Sequence, residues 1–306
     1  MASSVQWESL SQEVAKIVQE VGGGIVAVHG GRRLSGCGIH WRSGLIVTAD
    51  HALRHDAQFT VTLPDHTSVS AQLVGGDPST DVAVVKVEDA SKLAKAQTTS
   101  GEGLRVGHMV VAVGRSHLGD IAASAGIVAR LGAGWRTWRG GQIDQLIRPD
   151  VSLYPGQSGS ALVNSRGQVL GMNTNALARI SAITVPASTI DRVLGELVEH
   201  GHIRRPYLGL AMQVVSLPDD VRKKLKLESQ TGLLVMHVDD DGPGSKAGVM
   251  LGDIIISLQG NAAGDLRSLQ ETLAGLRIGQ QTSITIVRGG EKKELTITAG
   301  ERPTRR

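Results

Sequence analysis

From Gly24 onward the chain sets short runs of Val, Ile, Leu and Ala between brief glycine-rich and polar breaks. The runs fall at 24–29, 38–41, 45–48, 59–63, 68–74 and 82–87, and again at 109–113, 126–129, 146–148, 161–163, 169–173 and 181–185. Short segments rich in β-branched side chains and bounded by turn formers predict strands. With no long helix between them, they predict a mainly β, antiparallel unit, most simply two barrels side by side, since closure removes the sheet edges. Ahead of this region Val5, Leu10, Val14, Ile17, Val18 and Val21 fall near helical spacing, and Gly22-Gly23-Gly24 stops the pattern, so an amphipathic helix is predicted over 1–22. A second helical pattern covers 188–200 and ends at Gly201, after which Arg204-Arg205-Pro206 reads as a linker.

Beyond the linker the pattern becomes mixed. Strands are predicted at 233–238, 254–258, 283–287 and 294–298, while Leu266, Leu269, Leu273 and Leu276 share one helix face. The boundaries drawn are a helix at 1–22, a β domain at 23–201, a linker at 202–206 and a small α/β domain at 207–302. In Tyr207-Leu208-Gly209-Leu210 a glycine between two leucines lets consecutive N–H groups turn toward one point, a nest for a carboxylate. A peptide could then add as a strand beside 210–214, with Leu266, Leu269 and Leu273 on the other wall.

The 306 residues allow a full core in each of two domains. Lys+Arg 32 against Asp+Glu 29 gives +3, which writes in no strong pull toward nucleic acid or membrane, and Arg204-Arg205, Lys223-Lys224 and Arg305-Arg306 read as solvated surface. Aromatics are 2% of the chain, so the cores are aliphatic and a base- or sugar-stacking surface is not expected. Cys37 is the single cysteine, which excludes an internal disulfide and a cysteine metal cluster. Residues 1–21 hold neither a basic n-region nor a continuous apolar run, and no run is long enough to span a bilayer. A cytoplasmic setting is expected on these grounds, a periplasmic or extracytoplasmic one being the alternative for a processed chain.

Gly156-Gln157-Ser158-Gly159 places a serine in a tight turn ahead of an apolar strand, where a base can reach its hydroxyl and the N–H groups of Gly156 and Ser158 can face a developing negative charge. Ser160 occupies the place of the second glycine of a Gly-X-Ser-X-Gly elbow, so an α/β-hydrolase is not indicated. A serine hydroxyl needs an imidazole to take its proton, and the imidazole needs a carboxylate to fix its tautomer. His51 follows the apolar strand 45–48, and Asp81 opens the apolar strand 82–87. His40 and His55 compete with the first, and Asp50, Asp56 and Asp77 with the second, but none has both the strand and the following context. The order His, Asp, Ser matches the chymotrypsin architecture.

Ser35-Gly36-Cys37-Gly38, Thr48-Ala49-Asp50-His51-Ala52-Leu53, Ser79-Thr80-Asp81-Val82-Ala83-Val84 and Gly156-Gln157-Ser158-Gly159 resemble the HtrA/Deg family of trypsin-like serine proteases, and the stretches Tyr207-Leu208-Gly209-Leu210 and Gly252-Asp253-Ile254-Ile255 resemble its PDZ domain. The resemblance covers nearly the whole chain. It implies a chymotrypsin-like double barrel with a PDZ domain, the triad His51, Asp81 and Ser158, and an oxyanion hole from the N–H groups of Gly156, Gln157 and Ser158. It further implies a substrate pocket at Leu153, Asn173, Thr174 and Asn175, and a carboxylate loop at Tyr207, Leu208, Gly209 and Leu210 with a groove at Leu269 and Leu273. The glycine-rich 132–141, holding Trp135, Arg136, Trp138 and Arg139, takes the place of the family's sensor loop. Unfolded polypeptides and C-terminal peptides are the implied partners, assembly as a homotrimer through the N-terminal part is implied, with Trp7 a candidate anchor, and no cofactor is implied. Gln157 and Ser160 stand where the family usually has Asn and Gly, 114–119 lacks its usual Asn-Pro, and 174–179 is short. An inactive, protease-like chaperone or peptide scaffold is the alternative function.

Overall fold

The computed structural model describes residues 2–30, 35–53, 58–178 and 181–302, with side chains from Gln6 onward. His55, Asp56, Arg179 and the pair Arg305-Arg306 lie outside the described residues, as does the Val5 side chain. The chain forms two compact units, 1–203 and 204–306.

In the first unit α1 (Ala2–Gly22) leads into a closed barrel of β1 (Ile25–His29), β2 (Ser35–Arg42), β3 (Leu45–Ala49), β4 (Phe59–Thr62), β5 (Ser68–Asp77) and β6 (Val82–Val87), ordered β1-β2-β3-β6-β5-β4. A second closed barrel follows from β7 (Met109–Arg115), β8 (Ile121–Gly132), then, past the two-stranded hairpin β9 (Trp135–Arg136) and β10 (Gln142–Ile143), β11 (Leu146–Asp150), β12 (Ala161–Asn164), β13 (Val169–Thr174) and β14 (Ile183–Pro186), ordered β11-β14-β13-β12-β7-β8. α2 (Ala187–His200) closes the unit, and Gly201, left-handed at φ 75°, donates its N–H to Leu197 O at 2.9 Å. The fold is thus mainly β and chymotrypsin-like.

The runs are continuously apolar because successive residues enter two different cores. Along β6, Ala83, Val85 and Val87 fill the first barrel with Val26, Val28, Ile46 and Phe59. Val82 and Val84, on the opposite face, join Ile39, Val47, Val113, Val163, Met172 and Val185 in a cluster shared by both barrels and α2. A strand buried on both faces loses the alternation that marks a half-exposed one. Val14, Ile17, Val18 and Val21 of α1 pack on the same cluster, while Trp7 stays 71% exposed. β8 is longer than its apolar run at 126–129, since the small residues 122–125 carry no hydrophobic period, and β9 and β10 arise in a stretch whose glycines read as loop.

The second unit opens with β15 (Pro206–Tyr207) and β16 (Leu210–Ser216), α3 (Asp219–Leu225), β17 (Thr231–Val238), α4 (Pro243–Lys246), β18 (Ile254–Leu258) and β19 (Asn261–Ala262). α5 (Leu266–Ala274), β20 (Gln281–Arg288), β21 (Glu291–Thr298) and β22 (Gly300–Glu301) complete it. The main sheet runs β16-β17-β18-β20-β21, so β16 is an edge strand. Asp265 and Ser268 form a capping box at the start of α5, and Leu208, Leu233, Ile255, Leu269 and Ile284 centre the core. Among the described residues no helix is long and apolar enough to cross a membrane.

Arg115, at the end of β7, joins α1 to the barrels. Its buried guanidinium donates to Ile25 O at 2.5 Å, Gly119 O at 2.6 Å and Gly22 O at 2.7 Å, the last at the C-terminus of α1. A cation there meets the negative end of the helix dipole. Arg115→Met should strand three carbonyls and lower stability by about 3 kcal/mol, read as a lower urea midpoint with unchanged slope.

Candidate active site

Ser158 is held by contacts that cross from one barrel to the other. Cys37 of β2 donates its N–H to Ser158 O at 2.8 Å, and Gly159 donates to Asn173 O of β13 at 2.8 Å. Gly156 and Gly159 are left-handed, at φ 83° and 94°, and a Cβ on Gly159 would lie 1.9 Å from Cys37 O. Only glycine serves at 159. Ser160 has no such constraint: its buried hydroxyl accepts from Asn173 Nδ2 at 3.2 Å, and Asn173 Oδ1 accepts from Thr184 Oγ1 at 2.8 Å. The departure from the usual glycine therefore leaves the turn intact.

Gln157 N–H, expected among the oxyanion donors, is engaged with Tyr154 O at 3.0 Å, while Tyr154 N–H returns a bond to Gln157 Oε1 at 3.2 Å. This reciprocal pair closes the turn 154–157. The N–H groups of Gly156 and Ser158 have no hydrogen-bond partner among the described residues, which leaves two donors to converge on a developing oxyanion.

His51 sits on a single 3-10 turn, Asp50–Ala52, directly after β3. Its Nδ1 lies 2.9 and 2.8 Å from the two oxygens of Asp81, and its backbone N–H donates to Asp81 Oδ1 at 2.9 Å. Thr174 Oγ1 donates closely to Asp81 Oδ2. Asp81 is buried and left-handed at φ 58°, a conformation that costs a side-chain-bearing residue about 1–2 kcal/mol and that Asp tolerates better than most. Asp50 N–H donates to Asp81 O at 3.2 Å and holds it there. The hydrogen bond that the His51 ring donates to Asp81, followed by the charges of Asp81 and Asp50, raises the His51 pKa, while burial opposes the rise. The imidazolium is thereby favoured, and with Nδ1 committed to Asp81 the free nitrogen is Nε2. Ser158 Oγ accepts from Asn175 N–H at 3.4 Å and makes no hydrogen bond to His51 among the described residues.

The expected pocket residues divide. Asn173 and Thr174 are fully buried, because every residue of β13 is enclosed, and their side chains are spent on Ser160, Thr184 and Asp81. Leu153 is half-buried just before the 154–157 turn and Asn175 is exposed beside Ser158. Thr174 is a partner of the carboxylate, a role no sequence signal marks. Trp135 and Arg136 form β9, and Trp138, 77% exposed, carries the Arg139 guanidinium 4.5 Å from its ring centre.

In the second unit Gly209 is left-handed at φ 70°; its carbonyl accepts from Asp239 N–H at 2.9 Å and that of Leu208 from Gly244 N–H at 2.8 Å. The N–H groups of Leu208 and Gly209 have no partner among the described residues. Tyr207 ends β15 and Leu210 begins the edge strand. Leu269, expected in the groove, is buried in the core because one leucine stripe must also anchor α5; Leu273 is half-buried and Leu266 exposed.

Residues 36–172 match the trypsin-like peptidase domain and residues 206–299 the PDZ domain. A probable periplasmic serine endoprotease, DegP-like, of Rhizobium meliloti (strain 1021) is 33% identical over 266 residues, which are 85% of this chain and 52% of that protein. Its namesake from Pseudomonas fulva (strain 12-X) is 32% identical over 267 residues, 86% and 54% of the two chains. The chain thus spans about half the length of the curated relatives it matches. Among solved structures, the HtrA-type protease AlgW with tripeptide superposes with a TM-score of 0.70 at 29% identity, covering 95% of this chain and 98% of that one. The serine endoprotease from Yersinia pestis gives 0.74 at 25% identity, covering 94% and 98%. The expected cytoplasmic setting is overturned by relatives named periplasmic. A chain with one buried cysteine can fold in either redox compartment, so cysteine usage did not discriminate.

The geometry fixes a titration. In the full chain the His51 ring, followed by NMR, should titrate above its ordinary value of about 6.5, and Asp81→Asn should bring it down. Since the folded pKa is the higher one, this pair stabilises the fold below about pH 6.5, and the contribution is lost as pH rises through the folded value.

Proposed function

We infer that the chain, which belongs to the HtrA/Deg family of trypsin-like serine proteases with a PDZ domain, is a serine endopeptidase that cuts unfolded or misfolded polypeptide. The His51–Asp81 pairing beside the Ser158 turn is the observation that carries this reading. In the reaction Ser158 Oγ leaves Asn175 N–H for His51 Nε2, gives up its proton and attacks the scissile carbonyl. Gly156 and Ser158 N–H groups receive the oxyanion, His51 returns the proton to the leaving amine, and water repeats the sequence to free Ser158. Leu153 and Asn175 border the pocket, with Asn173 and Thr174 behind it.

The second domain, residues 207–302 beyond the linker 202–206, captures C-terminal peptides: the carboxylate on the Leu208 and Gly209 N–H groups, the strand along the open edge of β16, and Leu266 and Leu273 alongside. The hairpin of Trp135, Arg136, Trp138 and Arg139 passes the state of that domain or of a neighbouring subunit to the protease domain, residues 23–201. Exposed Trp7 and Leu10 on the helix 1–22 suit a contact in a homotrimer. The relatives' names favour work in the periplasm.

A fluorophosphonate probe should label Ser158 in the peptide-stimulated chain, and Ser158→Ala should abolish labelling and casein cleavage while leaving the unfolding midpoint unchanged. Casein cleavage persisting in purified Ser158→Ala would end the assignment. In full-length Ser158→Ala, a peptide with a free, apolar C-terminal residue should bind more tightly than its amide by about 1.5 to 3 kcal/mol. Equal affinities in calorimetry would remove carboxylate capture.

A further inference from the structure

At the tip of the β9–β10 hairpin Trp138 and Arg139 are exposed, whereas Thr137 and Gly141 are buried. Thr137 is buried between solvent-facing neighbours, and its hydroxyl is used twice. It donates to Ser79 O at 2.7 Å and accepts from Gly141 N–H at 3.1 Å. Thr137 and Gly141 also exchange a backbone bond at 2.9 Å, and Gly140 N–H donates to Thr137 O at 2.9 Å, which closes the tip around this side chain. Gly141 itself lies against Ser79, since a Cβ there would stand 2.4 Å from Ser79 O. Arg139 adds a weaker bond to Pro78 O at 3.4 Å.

Ser79 belongs to the turn that delivers Asp81. Asp77 Oδ1 accepts from the Ser79 N–H at 3.1 Å and from its hydroxyl at 2.7 Å, and Asp77 Oδ2 accepts from Thr80 Oγ1 at 2.8 Å. The turn is therefore closed by its own hydrogen bonds, with left-handed Asp81 two residues past the carbonyl that Thr137 holds. The hairpin springs from the second barrel, between β8 and β11, whereas the turn joins β5 to β6 of the first.

We propose that Thr137 is a positioning residue for the proteolytic reaction: by clasping Ser79 O it holds the Asp77–Asp81 turn against the second barrel, and so sets the place of the Asp81 carboxylate under His51. The clasp supplies a physical link between the hairpin and the triad that runs through backbone. Asp81 reaches the second barrel at two separate points, through Thr174 at the carboxylate and through Thr137 at the base of its turn. With only the first, the carboxylate could swing about Thr174 and lose alignment with Nδ1. This inference deepens the endopeptidase reading and rests on it for its catalytic meaning, but the geometry can be read without catalysis.

The test uses the full chain and two readouts. The charged groups that bear on the His51 ring are Asp81 and Asp50, so the ring's NMR titration reports their placement. Thr137→Val, which keeps shape and loses the hydroxyl, should lower the His51 midpoint by about half a pH unit. It should also slow fluorophosphonate labelling of Ser158 by about tenfold, the scale of a sub-ångström misplacement. Thr137→Ser should restore both, because only the hydroxyl is required. Gly141→Ala, which pushes the tip off Ser79, should repeat the Val result, and Arg139→Ala, at the exposed contact, should shift the midpoint less and in the same direction. If Thr137→Val does not fold, the Gly141 and Arg139 variants carry the measurement. An unchanged midpoint in the folded variants overturns the clasp, as does a loss in Thr137→Val that Thr137→Ser shares. A raised His51 midpoint in a wild-type chain that never labels at Ser158 would count against the protease reading instead, with the clasp still judged by the midpoints.

Discussion

One buried carboxylate ties the first unit together. Taking Asp81 out of water is tolerable only when its lone pairs are filled by well-placed donors, and leaving one such partner out costs about 3–5 kcal/mol. The donors come from both barrels: the backbone and ring of His51 from the first, the Thr174 hydroxyl from the second. The electrostatics that raise the His51 pKa are thus inseparable from the contact between barrels, and the apolar cluster that both share is the frame that keeps those donors in register. Site and interface are one structure.

The serine turn follows the same rule with backbone groups. Cys37 N–H holds Ser158 O from one side and Asn173 O holds Gly159 N–H from the other, so the Ser158 turn is suspended between β2 and β13. Behind it runs a short polar ladder of Ser160, Asn173 and Thr184, each hydroxyl and amide paired inside an otherwise aliphatic core. The Gln157–Tyr154 reciprocal bond then engages one N–H of the loop, while those of Gly156 and Ser158 have no partner among the described residues. Buried polar groups that are fully paired fix geometry more sharply than apolar contacts, which tolerate sliding.

Much of this was legible in the sequence, and the failures have physical causes. The barrel strands announced themselves as short β-branched runs, and the order of His51, Asp81 and Ser158 pointed to the trypsin-like peptidase domain that residues 36–172 match. The resemblance implied Asn173 and Thr174 at the pocket, and periodicity gave no sign that their side chains are enclosed and paired with Ser160, Thr184 and Asp81. A glycine turn advertises free N–H groups but not the local bond that engages Gln157. The leucines of α5 lie on one face in sequence, yet that face supplies both a core anchor, Leu269, and half-exposed Leu273. The hairpin at 135–143 was hidden by glycines, and its buried Thr137 has no marker that a composition or a period could carry. Compartment was misread because the expectation leaned on residues 1–21 showing no signal-peptide pattern, with a lone cysteine merely permitting it, and neither feature outweighs relatives named periplasmic.

The separation of the assembled parts along the chain has a consequence for synthesis. Cys37, His51, Asp81, Ser158 and Thr174 come from both barrels and lie far apart along the chain, and contacts so distant in sequence carry a loop-closure entropy that must be met before they stabilise anything. A nascent chain that has emerged only through the first barrel holds His51 and Asp81 but neither Ser158 nor the Thr174 hydroxyl that completes the carboxylate's shell. The grouping of His51, Asp81 and Ser158 is therefore complete only in a chain that has been made through Thr174.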